Sequence, residues 1–269
     1  MKKLRTLIVL MMIILPAWVI QAQSSQGDEL VVPLSNPGKA GLLKASLHTG
    51  NIKVVGYSGS EVIITVTTNE KEISRVTRNG LTRIPNSSFG ITAREENNYV
   101  TVSSSNMNKE VNLHIQVPRK FSLKLRSHNG DWIVAENVEG EVDVSFHNGD
   151  IRLDNIAGSA VCSSHNGDIT VVFTSITPDA PMAFTTYNGD VDITFPGTLK
   201  ANLKMRSDRG EILTGFDVDL QKNQPKREGS RESGVYKVSI EAWVTGKVNG
   251  GGPEMLFKSY NGDILIRKK

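Results

Sequence analysis

One motif recurs along this chain at nearly constant spacing, and that recurrence limits the fold more than any single residue does. It reads SHNGDWIV, FHNGDIRL, SHNGDITV, TYNGDVDI and SYNGDILI around Gly130, Gly149, Gly167, Gly189 and Gly262, with divergent copies LHTGNIKV at Gly50 and SDRGEILT at Gly210. Consecutive intervals from Gly130 to Gly210 are 19, 18, 22 and 21 residues. A supersecondary unit of that length, repeated, is one coil of a solenoid.

Each unit alternates apolar and polar residues on both sides of the glycine, the period-2 mark of strands with one buried face. After the glycine the inward pairs are expected to be Ile52/Val54, Trp132/Val134, Ile151/Leu153, Ile169/Val171, Val191/Ile193 and Ile264/Ile266, with Ile212/Thr214 the least apolar. Before it they are Leu43/Ala45, Leu123/Leu125, Val142/Val144, Ala160/Cys162, Met182/Phe184, Leu203/Met205 and Met255/Phe257. A lone coil cannot bury such a face, so equivalent strands must stack in parallel, about 4.8 Å apart. The expected fold is all-β, a single-domain right-handed parallel β-solenoid with coils of about 18–22 residues, since parallel crossovers are right-handed. An antiparallel sandwich or barrel is the alternative that short, evenly spaced strands allow. Regular coils are expected over 119–215, irregular first coils up to about 118, a charged loop excursion over 216–234 and a final coil over 235–269.

The motif itself reads first as a corner. Asn-Gly favours a turn with positive φ, and stacking would superpose Asn129, Asn148, Asn166, Asn188 and Asn261, whose amides can then bond along the stack. Asp131, Asp150, Asp168, Asp190 and Asp263, continued by Glu211, would form a row of like charges that needs compensation from turn amides, basic partners or a cation. Calcium between coils is the metal that hard carboxylate oxygens would suit. His48, His128, His147 and His165 share one slot, which Tyr187 and Tyr260 fill in later units. Exchange of imidazole for phenol points to a ladder of stacked rings. No metal site is expected; the residues that come nearest to one, for zinc, copper or calcium, are His128, His147, His165, Asp131, Asp150 and Asp168.

The first 22 residues place Lys2, Lys3 and Arg5 before an apolar run from Leu7 to Ile20 that ends at Ala22, the pattern of a cleaved secretory signal peptide. That run is short of the roughly 20 residues a membrane span needs, so no stable anchor is expected after cleavage. Loss of three basic residues from the chain's 31 leaves 28 against 28 acidic ones, a neutral exported chain with no electrostatic footprint for nucleic acid. The single cysteine, Cys162, cannot form an internal disulfide, and its inward parity makes it a core residue. No catalytic residues emerge: the Asp row singles out no carboxylate pair of the kind a glycosidase needs, and no Ser-His-Asp pattern or phosphate loop is present. Trp243 and Tyr236 are the aromatic side chains available for stacking on sugars.

IKVVGYSGSEVIITVT, the NGDI-type units and the closing VTGKVNGGGPEMLFKSYNGDILIRKK resemble a bacterial family described as β-strand-repeat or candidate-adhesin domains. The likeness spans nearly the whole exported chain. It implies an exported β-solenoid without established catalytic residues or cofactor, so no site residue is carried over. The expected protein is a non-enzymatic binding or scaffolding surface of the cell envelope, in the periplasm, on the outer surface or outside the cell, with an envelope protein or glycan as partner. The alternatives are a carbohydrate-active β-helix enzyme, lyase or hydrolase, and a calcium- or zinc-binding envelope protein.

Overall fold

The computed structural model describes residues 28–68, 77–78, 81–82, 90–106, 109–221, 226–232, 235–241 and 243–269. The segment read as a signal peptide lies outside them. Among the described residues there are strands and no helix, hence no helix long and apolar enough to cross a membrane.

Eighteen strands join in one mostly parallel sheet that folds back on itself at each motif. Each coil is a strand before the corner and a strand after it. The coils are Gly41–Thr49 with Ile52–Tyr57, Phe121–Glu136, the two windings of Glu139–Asn166 with Ile169–Ile176, and Met182–Thr185 with Val191–Phe195. Glu254–Ser259 with Ile264–Lys268 and Ala201–Ser207 with Ile212–Thr214 complete the set at the other end. Parallel register holds through the stack, as in Leu123 opposite both Leu43 and Val142. The solenoid-like architecture therefore stands and the antiparallel sandwich does not.

Three details differ from the sequence reading. Trp132 and Val134 do not face inward: a β-bulge at Gly130 adds one residue, setting Trp132 opposite Asp150 and Ile133 opposite Ile151. Ile133 and Ala135 fill the core and Trp132 turns out to solvent. The excursion is not all loop, because Lys226–Glu232 pairs antiparallel with Val235–Glu241 in a separate two-stranded sheet. The expected final coil accordingly narrows to residues 254–268, Val244–Val248 lying antiparallel on Ala201–Ser207 instead.

The stack does not follow the chain. Tyr99–Ser104 and Asn112–Pro118 make a coil on the outer side of Gly41–Tyr57, which separates them from Phe121–Glu136. At the other end, residues 254–268 sit between the Gly189 coil and the Gly210 coil. Antiparallel strands close the ends: Ile91–Glu96 on Tyr99–Ser104, Asp28–Pro33 on Glu61–Thr67, and Val218–Gln221 on Val244–Val248.

The core lies between the two layers that meet at the corner. Phe173 stacks on Phe195 at 5.2 Å in the post-corner layer, and Phe184 on Phe257 at 5.4 Å in the other, with edge-to-face contacts between layers at 6.3–6.4 Å. Such pairs add to the burial of large apolar area that drives the layers together. Asn137 and Asn155 turn the chain from one coil into the next at φ 59° and 54°; asparagine tolerates that left-handed conformation better than most residues.

Candidate functional site

The repeated corner is where the sequence concentrates its polar chemistry, and the structure resolves it into four parallel ladders. Asn148, Asn166, Asn188 and Asn261 each donate from Nδ2 to the Oδ1 of the neighbouring asparagine, starting at Asn129, over 2.6–2.8 Å. Arg209 ends the row by donating to Asn261 Oδ1 at 3.4 Å. At Gly149, Gly167, Gly189 and Gly262 the positive φ of the turn falls on the glycine and on none of these asparagines, whereas Gly130 does not have positive φ.

The carboxylate row is compensated by backbone. Asp150, Asp168, Asp190 and Asp263 each accept, through Oδ1, the N–H of the residue at the same place in the next coil, the last from Glu211, at 2.7–2.9 Å. The acceptor role expected of these side chains is real, but the donor belongs to the neighbouring coil. At the bulged Gly130 corner Asn51 Oδ1 does the same work, accepting from the N–H groups of Asp131 and Trp132.

The ring slot forms the continuous stack His48–His128–His147–His165–Tyr187–Tyr260, with centroids 4.6–5.5 Å apart and planes within 19°. The Arg209 guanidinium covers the last ring at 5.1 Å. From His128 to Tyr260 ring faces are thus occupied by neighbouring rings or by Arg209, and edges meet solvent. In-plane nitrogen lone pairs of parallel imidazoles run side by side and do not converge on one point, unlike a tetrahedral metal shell. Among the described residues no group of three or more His, Cys, Asp or Glu is arranged to hold a metal ion.

A fourth ladder escaped the sequence reading. Ser127, Ser164, Thr186, Ser259 and Ser207 occupy one inward slot, and their hydroxyls donate to the glycine carbonyls of the adjacent coil, Gly50, Gly149, Gly167, Gly189 and Gly262. The signal was the recurrence of Ser or Thr at inward parity two residues before the asparagine slot, broken by Leu47 and Phe146. Among the described residues no buried side-chain nitrogen or oxygen lacks a partner.

Beside the rings runs a shallow groove of about 480 Å³, lined among others by Arg126, His128, Ser145, His147, Ser163 and His165. None of these imidazoles hydrogen-bonds a hydroxyl or carboxylate of the described residues, so no nucleophile–base pair is assembled there. Cys162 is fully buried, where desolvation, with a smaller contribution from Asp143, pushes its thiol well above the ordinary range and away from reactivity. Trp243 lies under Lys204 Nζ at 4.9 Å and near the Arg206 guanidinium at 5.9 Å; the Tyr236 side chain lies outside the described residues.

Comparison with protein-family models matches residues 39–246 to Toastrack DUF4097. The chain belongs to the Toastrack DUF4097 family. The match takes in the first six corner glycines and leaves the strands of residues 254–268 beyond it. No curated protein matches the sequence. Two solved structures are similar in part. A candidate cell adhesion protein from Clostridium sporogenes is 13% identical, with 91% of this chain and 100% of that chain covered and a TM-score of 0.45. A candidate adhesin from Bacteroides fragilis is 11% identical, with 91% and 98% covered and a TM-score of 0.28.

Proposed function

We propose that this Toastrack protein is an exported, non-enzymatic component of the cell envelope, a right-handed β-solenoid whose long outward faces act as an adhesin-like binding or scaffolding surface. The observation that carries the reading is the use of the repeated polar residues. From the Gly149 corner to the Gly262 corner the motif's Asn and Asp, with the Ser or Thr before them where present, are spent on bonds between coils. What remains for partners is an unbroken outward face with a shallow groove, rather than a cleft around one reactive group. The apolar segment from Leu7 to Ile20 behind Lys2, Lys3 and Arg5 supports export.

The test is retention. Purified protein is mixed with washed envelope fragments and, separately, with soluble cytoplasm of a bacterial host, and the bound fraction is measured after sedimentation. Saturable retention on envelope without release of reducing sugar is the expected result. Turnover of envelope polysaccharide, or equal recovery from both fractions, overturns the reading.

A further inference from the structure

We propose that the outward strip of the pre-corner layer, beside the ring ladder, binds an acidic polysaccharide; this rests on the envelope-surface reading and names its partner. The strip carries Lys44, Lys124, Arg126, Lys204, Arg206 and Lys258, and Asp143 is the one acid in the same two columns of described residues. Two in-register pairs are like-charged: Lys44 lies opposite Lys124, and Arg206 opposite Lys258. Cations directly opposed on neighbouring strands repel, and the remedies present are partial. Asp143 is shared by Lys124 at 3.4 Å and Arg126 at 3.2 Å, and Asp208 pairs with Arg206 at 2.9 Å. Lys44 and Lys258 have no ion pair among the described residues. The post-corner layer handles charge differently, matching Lys53 with Glu136 at 3.1 Å and Arg267 with Asp192 at 2.7 Å. A cationic strip compensated only in part, with Lys44 and Lys258 unpaired among the described residues, calls for an anion from outside.

What lies between the two basic ends selects the kind of anion. In the middle coils the strip shows the hydroxyls of Ser145, Ser163 and Thr185 beside a low apolar row, Val161, Ala183 and Leu256, in register across three coils. A chain of acidic sugars has all three complements: carboxylates for the cations, hydroxyls for the serines and threonine, and C–H faces for the apolar row. From the Lys44 coil to the Lys204 coil is six steps, roughly 30 Å at strand spacing, so an extended polymer meets both ends at once. A single-stranded nucleic acid stacks its bases on free ring faces, and here both faces of His128, His147 and His165 are taken by neighbouring rings.

Binding of the purified protein to polygalacturonate, neutral dextran and phosphatidylglycerol vesicles is measured by biolayer interferometry. Saturable binding to polygalacturonate alone is expected, falling at least tenfold between about 50 and about 500 mM salt as screening shortens the reach of each charge. The double variant K44E/K258E, at exposed or half-exposed positions with unchanged melting, is expected to weaken it at least tenfold. L256S, which keeps every charge, is expected to weaken it two- to fivefold with the salt dependence intact. Binding to vesicles in place of polygalacturonate overturns the proposal, as does equal binding to dextran or indifference to charge reversal. If envelope retention persists while polygalacturonate binding is absent, this inference fails and the envelope reading stands; loss of both removes both.

Discussion

Gly167→Ala tests how closely the coils are pressed together at the corner. Gly167 has φ +149°, and a Cβ built there would lie 2.1 Å from Gly149 O and 2.5 Å from Gly149 C, main-chain atoms that cannot rotate away. A side chain in that conformation costs about 1–2 kcal/mol by itself. Relief of the clash requires the two coils to part locally, at about 1–3 kcal/mol for overpacking. Separation also strains the bonds between these two coils, from Asn166 Nδ2 to Asn148 Oδ1 at 2.8 Å and from Asp168 N–H to Asp150 Oδ1 at 2.9 Å, each worth about 1 kcal/mol. The combined cost is roughly 4–7 kcal/mol, or a melting temperature lowered by roughly 8–28 °C for a chain of this size. Gly38→Ala is the internal control: φ is +83° and nothing lies within 4 Å of its Cβ, so it bears the conformational cost alone, about 1 kcal/mol. Urea titrations of both variants, analysed at fixed slope, give the difference. If Gly167→Ala costs no more than Gly38→Ala, the carbonyl approach is not a constraint and the account of the corner is wrong.

Asp168→Asn is expected to cost less than about 0.5 kcal/mol and Asp168→Ala about 1 kcal/mol in the same titration, since Asn51 already performs the acceptor role with an amide oxygen; a melting point raised by calcium would contradict this. His147→Tyr is expected to be within about 0.5 kcal/mol of the parent, whereas His147→Ala loses two stacking contacts at 4.6 and 4.8 Å and about 1–2 kcal/mol; equal losses would refute the ring-ladder account. Cys162, buried with its thiol pushed up, is expected to resist iodoacetamide at pH 8 in the folded protein and to take up one equivalent in urea, read by intact mass; labelling of the folded chain would place it elsewhere. Glu95 accepts N–H groups of Ser35 and Asn98 together with the Ser35 hydroxyl, which hold its carboxyl below the usual range. A lowered folded-state value stabilises above the unfolded carboxylate range and is lost as pH falls through the folded one, so Glu95→Gln is expected to lower stability at neutral pH and to converge on the parent in acid, flattening the acid limb of the stability profile.

The coil and its inward faces were legible because period-2 alternation survives in every unit; the buried pairs Ile151/Leu153 and Met182/Phe184 stand where parity puts them. Parity failed at Trp132, where one added residue flips all that follows to the opposite face. Only a count from Asn129 to the next inward residue, one longer than from Asn148 to Ile151, could have revealed it. The ring ladder was legible from the exchange of His for Tyr. The partner of the Asp row was not, because an Asx turn and a bond to the next coil use the same residue and differ only in which backbone N–H lies within reach. The basic strip was hidden for a similar reason: Lys44 and Lys124 are far apart in sequence, and their opposition exists only once the register is known.

The order of the stack was the least legible feature, and the ladders explain why. A coil joins its neighbours through the same few groups wherever it comes in the chain: an asparagine amide, an aspartate oxygen, a ring and a glycine carbonyl. Asn261, Asp263 and Tyr260 meet Asn188, Asp190 and Tyr187 with the spacings that successive coils use, although 73 residues separate the two asparagines. Interchangeable edges let the strands at 254–268 enter between the Gly189 and Gly210 coils without disturbing the lattice. What they bring is complementarity on both sides: Phe257, Ser259 and Asn261 meet Phe184, the Gly189 carbonyl and the Asn188 amide on one, and Gly262 O and Asp263 Oδ1 accept from the Ser207 hydroxyl and the Glu211 N–H on the other. The Gly210 coil has neither the asparagine nor the ring of the others, and its Arg209 instead reaches Asn261 and covers Tyr260. A coil that cannot extend the ladders can only end them, which fixes its place outside residues 254–268 even though it precedes them in sequence.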